Sequence, residues 1–511
     1  MPILITTVSI GAIGALLIWT LFARVRTWYR LRHIPGPPAV AWSKLWLARW
    51  QAGGKLLTHF RETSKRYGPI ARIGPDWILV SSPSEIRRIW SVRSGYRRSS
   101  WETRYAGFRI DPNSDSILTM VDNKSHLRVR SKLLPAYQGK GITGQEAVID
   151  GQITRFISLL ERKYVSTARG DRPVPFEMGR GFSYFTQDAI SAVGFGAPFG
   201  YLDEDADFYG ALDAMEGMLL PCALMGLLPP LLWAVTSPLS KPFLPRKTDP
   251  SGVGRLLGVI DERVRTRYGD HKVRNADVVQ VLVDSGMPRG EVEAEALVHL
   301  LAGTDTTAGA LRNAVFLLST SPAAYRRLQA EIDAAVAGGP GRVGVTRPVI
   351  ADAEAREMAF LQACIKESMR YWPPVLGMQG KTSDADDVIC GVRVPAGTHV
   401  AWGLFEALRD KDVFGNDADF FEPMRWLDTE PEKLKEMEAT QGLVFAAGTK
   451  WECLGKRLAN IEMEKVLFEL FLRFDFAMLN PIEPFQWRNL NFTVHDNMNV
   501  IITRRGSPGG C

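Results

Sequence analysis

One cysteine stands in a local pattern that could present an anionic sulfur to a metal ion. Gly448 lies in a short loop that leads to Cys453, and Gly455 follows shortly after. Apolar residues then recur at helical spacing from Leu458 to Phe474, which predicts a helix beginning just after the cysteine. The free N–H groups and the dipole at a helix start favour a thiolate, so Cys453 is a candidate iron ligand.

The surroundings of Cys453 suit a flat cofactor. Phe445 can shield the sulfur from water, and the glycines allow the backbone to approach a planar ring. The alternative is a buried cysteine without a ligand, which is the commonest fate of a free cysteine. The remaining cysteines form no C-x-x-C motif, so that neither a disulfide framework nor a zinc site is expected and a reducing compartment fits best. They are Cys222, Cys364, Cys390 and Cys511.

A carboxylic acid and a hydroxyl stand side by side in a long helical pattern. Asp305 and Thr306 follow Gly303 midway along the proline-free stretch from Glu291 to Ser319, which predicts a helix long enough to cross a domain. A glycine and hydroxyl residues inside a helix invite a distortion that can admit a small ligand. Asp305 and Thr306 could then pass protons. The alternative is a patch of small residues that serves helix packing.

A glutamate and two arginines form a third set. Glu367 and Arg370 lie one turn apart on a predicted amphipathic helix that ends at Pro373, and their side chains can pair. Arg425 lies in a later segment that is rich in aromatic residues, 421–426. A carboxylate between two guanidinium groups can lock a buried loop through charge-assisted hydrogen bonds.

Composition and patterning predict one large, mainly α-helical domain with small peripheral β-sheets. The 511 residues are 46% hydrophobic and 23% charged, and no internal repeat or long linker is visible. Strands are expected in hairpins at 70–80 and at 388–401, where Pro395-Ala396-Gly397 would be the turn, and along Phe492–Ile502. The net charge of +6 comes without a run of like charges, so no nucleic-acid partner is expected.

The first residues have the composition of a membrane anchor. Ile3 to Phe22 carries no charge and has roughly the 20 residues that cross a bilayer as a helix. Several arginines follow between Arg24 and Arg32, which predicts that the body of the protein faces the cytoplasm. The predicted organisation is an anchor at 1–22, a basic flank and Pro-rich hinge at 23–40, a domain at 41–505 and a flexible tail at 506–511.

A second apolar stretch runs from Pro221 to Val235. It is too short, and too broken by Pro229 and Pro230, to cross a bilayer. Two interpretations stay open for it: a part of the core, or an apolar lip that dips into lipid beside a substrate entrance.

These motifs, in this order, resemble those of the cytochrome P450 superfamily across nearly the whole chain. A further match runs from His126 to Arg130 and resembles the family's aromatic-x-x-x-Arg pattern, with His in place of the usual Trp. The anchor and hinge resemble the microsomal type, and the segment Trp451–Lys456 is most similar to fungal members of the pisatin-demethylase-like branch. The resemblance implies the cytochrome P450 fold, with a single haem domain behind a transmembrane helix in the endoplasmic reticulum membrane.

The resemblance implies a haem b site with Cys453 as the axial ligand of the iron. The other residues implied at the cofactor bind its propionates or shape the loop. They are His126, Arg130, Lys381, Lys450, Phe445, Gly448 and Gly455. Lys450 is included because this loop has one residue more than the family pattern between Gly448 and Cys453, and because Trp451 stands where the family has a cation.

The same resemblance implies roles for the other two motifs. Asp305 and Thr306 resemble the acid–alcohol pair that delivers protons during oxygen activation. Glu367, Arg370 and Arg425 resemble the structural triad that steadies the segment before the ligand cysteine.

The implied reaction is insertion of one oxygen atom from O₂ into a substrate, with electrons from NADPH. The chain has no G-x-G-x-x-G on a strand-to-helix turn, so a separate NADPH–cytochrome P450 reductase is the expected partner, and cytochrome b5 is a further one. A basic docking face is predicted, with an ordinary solvated surface as the alternative. Its residues are Arg128, Lys132, Lys456 and Arg457.

The implied pocket walls are mainly apolar, so a hydrophobic small molecule is the expected substrate. They lie at 94–122, 208–235, 300–302 and 375–378. Fungal relatives oxidise terpenoid, polyketide or alkaloid intermediates of secondary metabolism, and the sequence does not choose among these. Two other classes of protein stay open. One is a haem-thiolate isomerase, dehydratase or peroxide-using enzyme that needs no reductase, and the other is a non-catalytic haem-binding protein. Asp305 and Thr306 argue against both.

Overall fold

The computed structural model describes residues 2–99, 115–166, 172–269, 272–337 and 349–506. The side chains of residues 2–13, 16, 17 and 241 lie outside that description. The predicted pocket wall at 94–122 and the predicted tail at 506–511 therefore fall largely outside the described residues. Helices dominate the described residues, and the strands form small sheets, as the sequence predicts.

The α-helices follow one another along the chain and include one of 31 residues. They are α1 (Pro2–Arg30), α2 (Leu45–Ala52), α3 (Leu56–Tyr67), α4 (Pro83–Trp90), α5 (Asn123–Tyr137), α6 (Gln145–Leu159), α7 (Met178–Phe195), α8 (Tyr201–Glu204), α9 (Ala211–Leu227), α10 (Pro229–Thr236), α11 (Gly252–Arg265), α12 (Val278–Asp284), α13 (Arg289–Ser319), α14 (Pro322–Val336), α15 (Asp352–Glu357), α16 (Ala359–Tyr371), α17 (Leu404–Ala407), α18 (Lys411–Phe414), α19 (Pro431–Gln441) and α20 (Lys456–Arg473).

The strands are short. They are β1 (Ile70–Arg72), β2 (Trp77–Val80), β3 (Arg97–Arg98), β4 (Val165–Ser166), β5 (Phe176–Glu177), β6 (Gly380–Thr382), β7 (Asp387–Ile389), β8 (Val392–Val394), β9 (His399–Trp402), β10 (Phe474–Met478), β11 (Gln486–Asn489), β12 (Thr493–Asp496) and β13 (Asn499–Arg504). The largest sheet has the order β1-β2-β9-β6-β3, and a second is built from β10, β13, β4 and β5. The pairs β11-β12 and β7-β8 stand apart from these two sheets.

The predicted hairpin at 70–80 is confirmed, because β1 and β2 pair antiparallel. The hairpin predicted around Pro395-Ala396-Gly397 is wrong. The turn lies instead between β7 and β8, where Cys390 and Gly391 have φ angles of 49° and 77°. Two successive positive φ angles suit a tight hairpin turn, so β7 pairs with β8 and β9 joins β2 and β6 in the large sheet.

The strand predicted along Phe492–Ile502 is divided into two. Asn497 has a φ angle of 62°, which takes the backbone out of the extended conformation between β12 and β13. The first of these strands pairs with β11 and the second with β10, so the two halves belong to different sheets.

The long helix α13 lies in the main hydrophobic core, as its predicted length suggests, and it packs along α7. Gly303 is needed for this close approach, since a Cβ there would lie 2.5 Å from Cγ1 of Ile190. One turn of α13 is also fixed by α7, because the Thr186 hydroxyl donates to the Thr304 carbonyl at 3.0 Å. Part of the small-residue pattern on α13 therefore serves packing.

The apolar stretch Pro221–Val235 bends between α9 and α10. In α9 the side chains of Cys222 and Leu227 are buried, which agrees with a place in the core, whereas α10 has no buried residue. Large apolar side chains in and after α10 are exposed, with Trp233 at 73% and Phe243 at 86%. Within the described residues no single helix has the length and hydropathy of a membrane span, and α9 with α10 has them only as a pair bent by 118°.

The structure brings Glu367, Arg370 and Arg425 together in a buried network. The Glu367 carboxylate accepts from Arg370 Nε and Nη2 at 2.8 and 2.7 Å, and from Arg425 Nε at 3.1 Å. Trp426 Nε1 donates to the same carboxylate at 2.9 Å. Arg370 also donates to the carbonyls of Leu408, Ala418 and Phe420. These bonds fix the chain that precedes the ligand loop, residues 445–455, which carries Cys453.

Replacing Glu367 by Gln should strongly destabilise the protein. Removing one partner of a buried, paired charge costs about 3–5 kcal/mol, because the remaining guanidinium groups lose their counter-charge. The measurement is the midpoint of urea unfolding. The matched control is Glu438→Gln, which breaks a pair with Lys366 whose side chains are 45% and 38% exposed. Equal midpoints for the two variants would contradict a stabilising role of the network.

Candidate active site

Cys453 faces a large cavity from the turn that precedes α20. Its backbone N–H donates to the Phe445 carbonyl at 2.9 Å, and its side chain is exposed to the cavity. Burial within the protein raises the pKa of the Cys453 thiol, whereas the Gly455 N–H, the charge of Arg130 and the Lys456 N–H oppose that rise. An anionic sulfur at this place would therefore meet hydrogen-bond donors and a positive charge.

Two adjoining cavities meet at Cys453. The larger has a volume of about 310 Å³ and mostly apolar walls from α9, α13, α16 and the large sheet. The smaller, of about 210 Å³, lies among α5, α13 and α20. Ala302 and Thr306 of α13 line both cavities, and so do Phe445 and Trp451 of the ligand loop. The space is thus bounded by α13 on one side and by the loop that carries the sulfur on the other.

Basic side chains gather around Trp451 at one edge of this space. Nζ of Lys381 lies 2.9 Å from the centroid of the Trp451 ring, and Cζ of Arg98 lies 5.8 Å from it. The His126 ring lies 6.1 Å from the same ring. Burial, followed by the charges of Arg98, Arg130 and Lys381, lowers the pKa of His126 to about 3, so His126 is neutral at physiological pH.

The structure brings together only some of the residues that the sequence predicts to bind the haem propionates. His126, Arg130 and Lys381 line the cavities at Cys453, whereas Lys450 lines neither and donates to the Ser94 carbonyl at 2.8 Å. Arg98 lines both cavities, although sequence reasoning missed it. It lies in a strand of two residues with no motif around it, so its positive charge was the only signal.

The two glycines predicted to shape the ligand loop, Gly448 and Gly455, contribute to it in different ways. Gly448 has a φ angle of 74° and a left-handed conformation that permits the turn toward Cys453. Gly455 precedes α20 and lines the smaller cavity, and a Cβ there would lie 3.9 Å from the Cys453 sulfur.

Asp305 and Thr306 lie on α13 and reach the cavity at Cys453. Both line the larger cavity, and Thr306 also lines the smaller one. The Thr306 hydroxyl donates to the Ala302 carbonyl at 2.7 Å. Burial raises the pKa of Asp305 to about 6, with the charge of Arg312 opposing the rise. A carboxyl group of this pKa exchanges its proton readily near neutral pH.

Asp305 also lines a third cavity, of about 270 Å³, which adjoins the larger one. Its walls carry many charged or ionisable groups, among them Glu177, Arg180, Glu216 and Arg312. Asp305 is therefore placed between an apolar cavity and a charged one.

The residues around Cys453 fit a haem group. Such a ligand has a flat apolar ring, an iron and two carboxylates, and the site offers apolar walls, a thiol and a cluster of basic side chains. Within the described residues, Trp451 Nε1 is a buried N–H at the same edge with no acceptor. A donor without an acceptor is costly to bury, and a carboxylate at this edge would satisfy it.

The larger cavity matches most of the predicted substrate walls. Leu118, Ala223, Leu301 and Val375 each represent one of the four predicted segments. Sequence reasoning missed the segment 490–492 between β11 and β12, which also lines the cavity. No motif marks that segment, because it reaches the site only through the pairing of β11 with β12.

The predicted docking residues lie at the surface on α5 and α20. Lys456 and Arg457 are 40% and 52% exposed and lie near Glu452 and Asp352, respectively. Arg128 is exposed and Lys132 is half-buried. Docking of a reductase at this face stays a prediction.

Comparison with known proteins gives the same family over nearly the whole chain. The family model described as Cytochrome P450 matches residues 34–499. The chain is 36% identical over 487 residues to the cytochrome P450 monooxygenase ABA1 of Pyricularia oryzae, covering 93% of each chain. It is 33% identical to the cytochrome P450 monooxygenase abl1 of Leptosphaeria maculans, covering 94% of this chain and 84% of the relative. The extent of these matches, together with a thiol that faces an apolar cavity beside α13, shows that the chain belongs to the cytochrome P450 family of haem monooxygenases.

Proposed function

We propose that the protein inserts one atom of O₂ into a hydrophobic small molecule, an intermediate of fungal secondary metabolism of the terpenoid, polyketide or alkaloid type. The observation that carries this proposal is the larger cavity, whose mostly apolar walls bring together Cys453, Asp305 and Thr306. Apolar walls favour a hydrophobic substrate, since burial of apolar surface drives its binding. The similarity to monooxygenases of fungi supports the proposed metabolic setting.

Cys453 would hold haem through its sulfur, and the haem iron would supply the chemistry of O₂ reduction. The side chains around it have separate tasks. Phe445 covers the sulfur side and excludes water, and the apolar walls orient the substrate. The whole reaction consumes two electrons and two protons and releases one water. We assign proton delivery to Asp305 and Thr306, because they line the cavity and Asp305 also borders the charged cavity.

The electrons come from a partner in this proposal. NADPH passes them through NADPH–cytochrome P450 reductase, with cytochrome b5 as a second donor, and the basic residues on α5 and α20 form the docking face. Asp305 and Thr306 favour this function over an isomerase, a dehydratase or a peroxide-using enzyme, since those reactions need no proton supply for O₂.

Comparing the metabolites of producing strains with and without the gene would identify the substrate as the compound that accumulates in the strain that lacks the gene.

Replacing Cys453 by Ser should abolish thiolate ligation of the iron. The reduced, carbon-monoxide-bound protein should lose the red-shifted Soret band that a thiolate ligand produces. The matched control is Cys222→Ser, which changes another cysteine that lines the larger cavity and should leave the band in place. A normal band in the Cys453→Ser variant would show that this sulfur is not the ligand.

Replacing Thr306 by Ala should leave haem and substrate binding intact but uncouple the reaction. Product per NADPH should fall and hydrogen peroxide should rise, since a positioned proton donor contributes about 10²–10⁴-fold to a proton-transfer step. Asp305→Asn should slow turnover more than it weakens substrate binding. The measurement is product and peroxide per NADPH with reductase supplied. Parental rate and coupling in both variants would rule out the proton-delivery role.

We also propose that α1 anchors the protein in the endoplasmic reticulum membrane as a single span, with the catalytic domain in the cytoplasm. The uncharged stretch 3–22 and the arginines after it support this orientation. The exposed Trp233, Leu239 and Phe243 would add a second, weaker contact with lipid.

Deleting residues 1–22 should release much of the protein from the membrane fraction. The exposed side chains at and after α10 should retain a part of it, and Trp233→Ser with Phe243→Ser should release that part. Sedimentation of cell extracts measures the distribution. Full membrane retention after both changes would contradict the anchor.

A further inference from the structure

Trp451 occupies an unusual place between the two cavities at Cys453. Its side chain lines both of them, and its backbone N–H donates to the Thr449 hydroxyl at 3.0 Å, which fixes the turn. Its indole Nε1 is buried and has no acceptor within the described residues. An N–H of this kind in a cavity wall is available to donate a hydrogen bond to a ligand atom.

The charges around Trp451 indicate what that ligand atom is. Lys381 lies over the ring face, and Arg98 approaches the same ring. Burial lowers the pKa of His126, whose ring lies 6.1 Å from that of Trp451, and the charges of Arg98, Arg130 and Lys381 lower it further. A cluster of positive charge at a cavity wall favours an anion, so the acceptor expected at Nε1 is a carboxylate.

The two departures of this chain from the family pattern are neighbours in space. Position 126 on α5 carries His instead of the usual Trp, and position 451 on the ligand loop carries Trp instead of a cation. We propose that the role of the indole has moved from position 126 to position 451, so that Trp451 supplies from the loop the N–H that binds a haem carboxylate. This proposal rests on the haem binding that the proposed function requires, and it adds a specific binding residue.

An indole at position 451 suits the positive charge at this edge of the cavity better than a cation would. A cation at position 451 would lie against Lys381 and repel it, whereas an indole ring attracts Lys381 to its face and donates a hydrogen bond from its edge. Lys450, the nearest cation in the loop, does not fill this place, because its ammonium group donates to the Ser94 carbonyl.

The test compares two forms of the cofactor in the full-length protein. Holoprotein is produced in haem-auxotrophic cells supplied with either haem or its dimethyl ester, whose carboxyl groups carry no charge. The rate of cofactor loss to excess apomyoglobin is then measured by absorbance. Trp451→Phe should lose haem about tenfold faster than the parent, as expected for one hydrogen bond to a charged group. With the dimethyl ester, whose oxygens accept only a weaker, uncharged hydrogen bond, the difference between the two proteins should be clearly smaller than with haem.

Further variants separate a hydrogen bond from packing. Trp451→Gln keeps an N–H donor and should lose haem more slowly than Trp451→Phe, and His126→Trp combined with Trp451→Phe should restore slow loss. Lys450→Met is the loop control and should behave as the parent with both cofactors. An equal acceleration of the loss of haem and of ester in Trp451→Phe relative to the parent, or a carboxylate-dependent effect in Lys450→Met alone, would overturn the proposal. Failure of the parent protein to bind haem through a thiolate would instead overturn the proposed function.

Discussion

The backbone around Cys453 holds the sulfur in place, and the rest of the site is arranged against it. The Cys453 N–H donates to the Phe445 carbonyl, and the intervening loop turns through left-handed conformations at Ala446 and Gly448. The bridge between Ser91 and Thr449 ties this loop to the end of α4. A sulfur fixed in this way faces the space where the two cavities meet, so the other residues that serve the reaction must reach that space from elements elsewhere in the chain.

The long helix α13 supplies the opposite wall, and its position depends on packing with α7. Gly303 permits the close approach to Ile190, and the next residue, Thr304, bonds to α7 through its carbonyl. The packing and the chemistry of this pattern are therefore divided between neighbouring residues. Gly303 and Thr304 contact α7, whereas Asp305 and Thr306 line the larger cavity.

The parts of the fold that follow from local periodicity could be predicted, and those that depend on distant pairing could not. Apolar spacing marks both α16, which ends two residues before Pro373, and α20, which begins after Cys453. The wrong hairpin arose because Pro395-Ala396-Gly397 has turn composition, while the actual turn uses Cys390, a residue seldom found at positive φ. Arg98 and the segment 490–492 reach the site only through strand pairing, which leaves no local signal in the sequence.

The electrostatics of the site couple the cofactor to the stability of the fold. Arg98, Arg130 and Lys381 are gathered at one cavity wall, and their charges add to the effect of burial in lowering the pKa of His126. Gathering like charges costs free energy in the folded state, and a bound dianionic group would offset that cost. Any ligand that binds only the folded protein also stabilises it by mass action. Within this arrangement an aromatic N–H donor at position 451 adds affinity for the carboxylates without adding another positive charge.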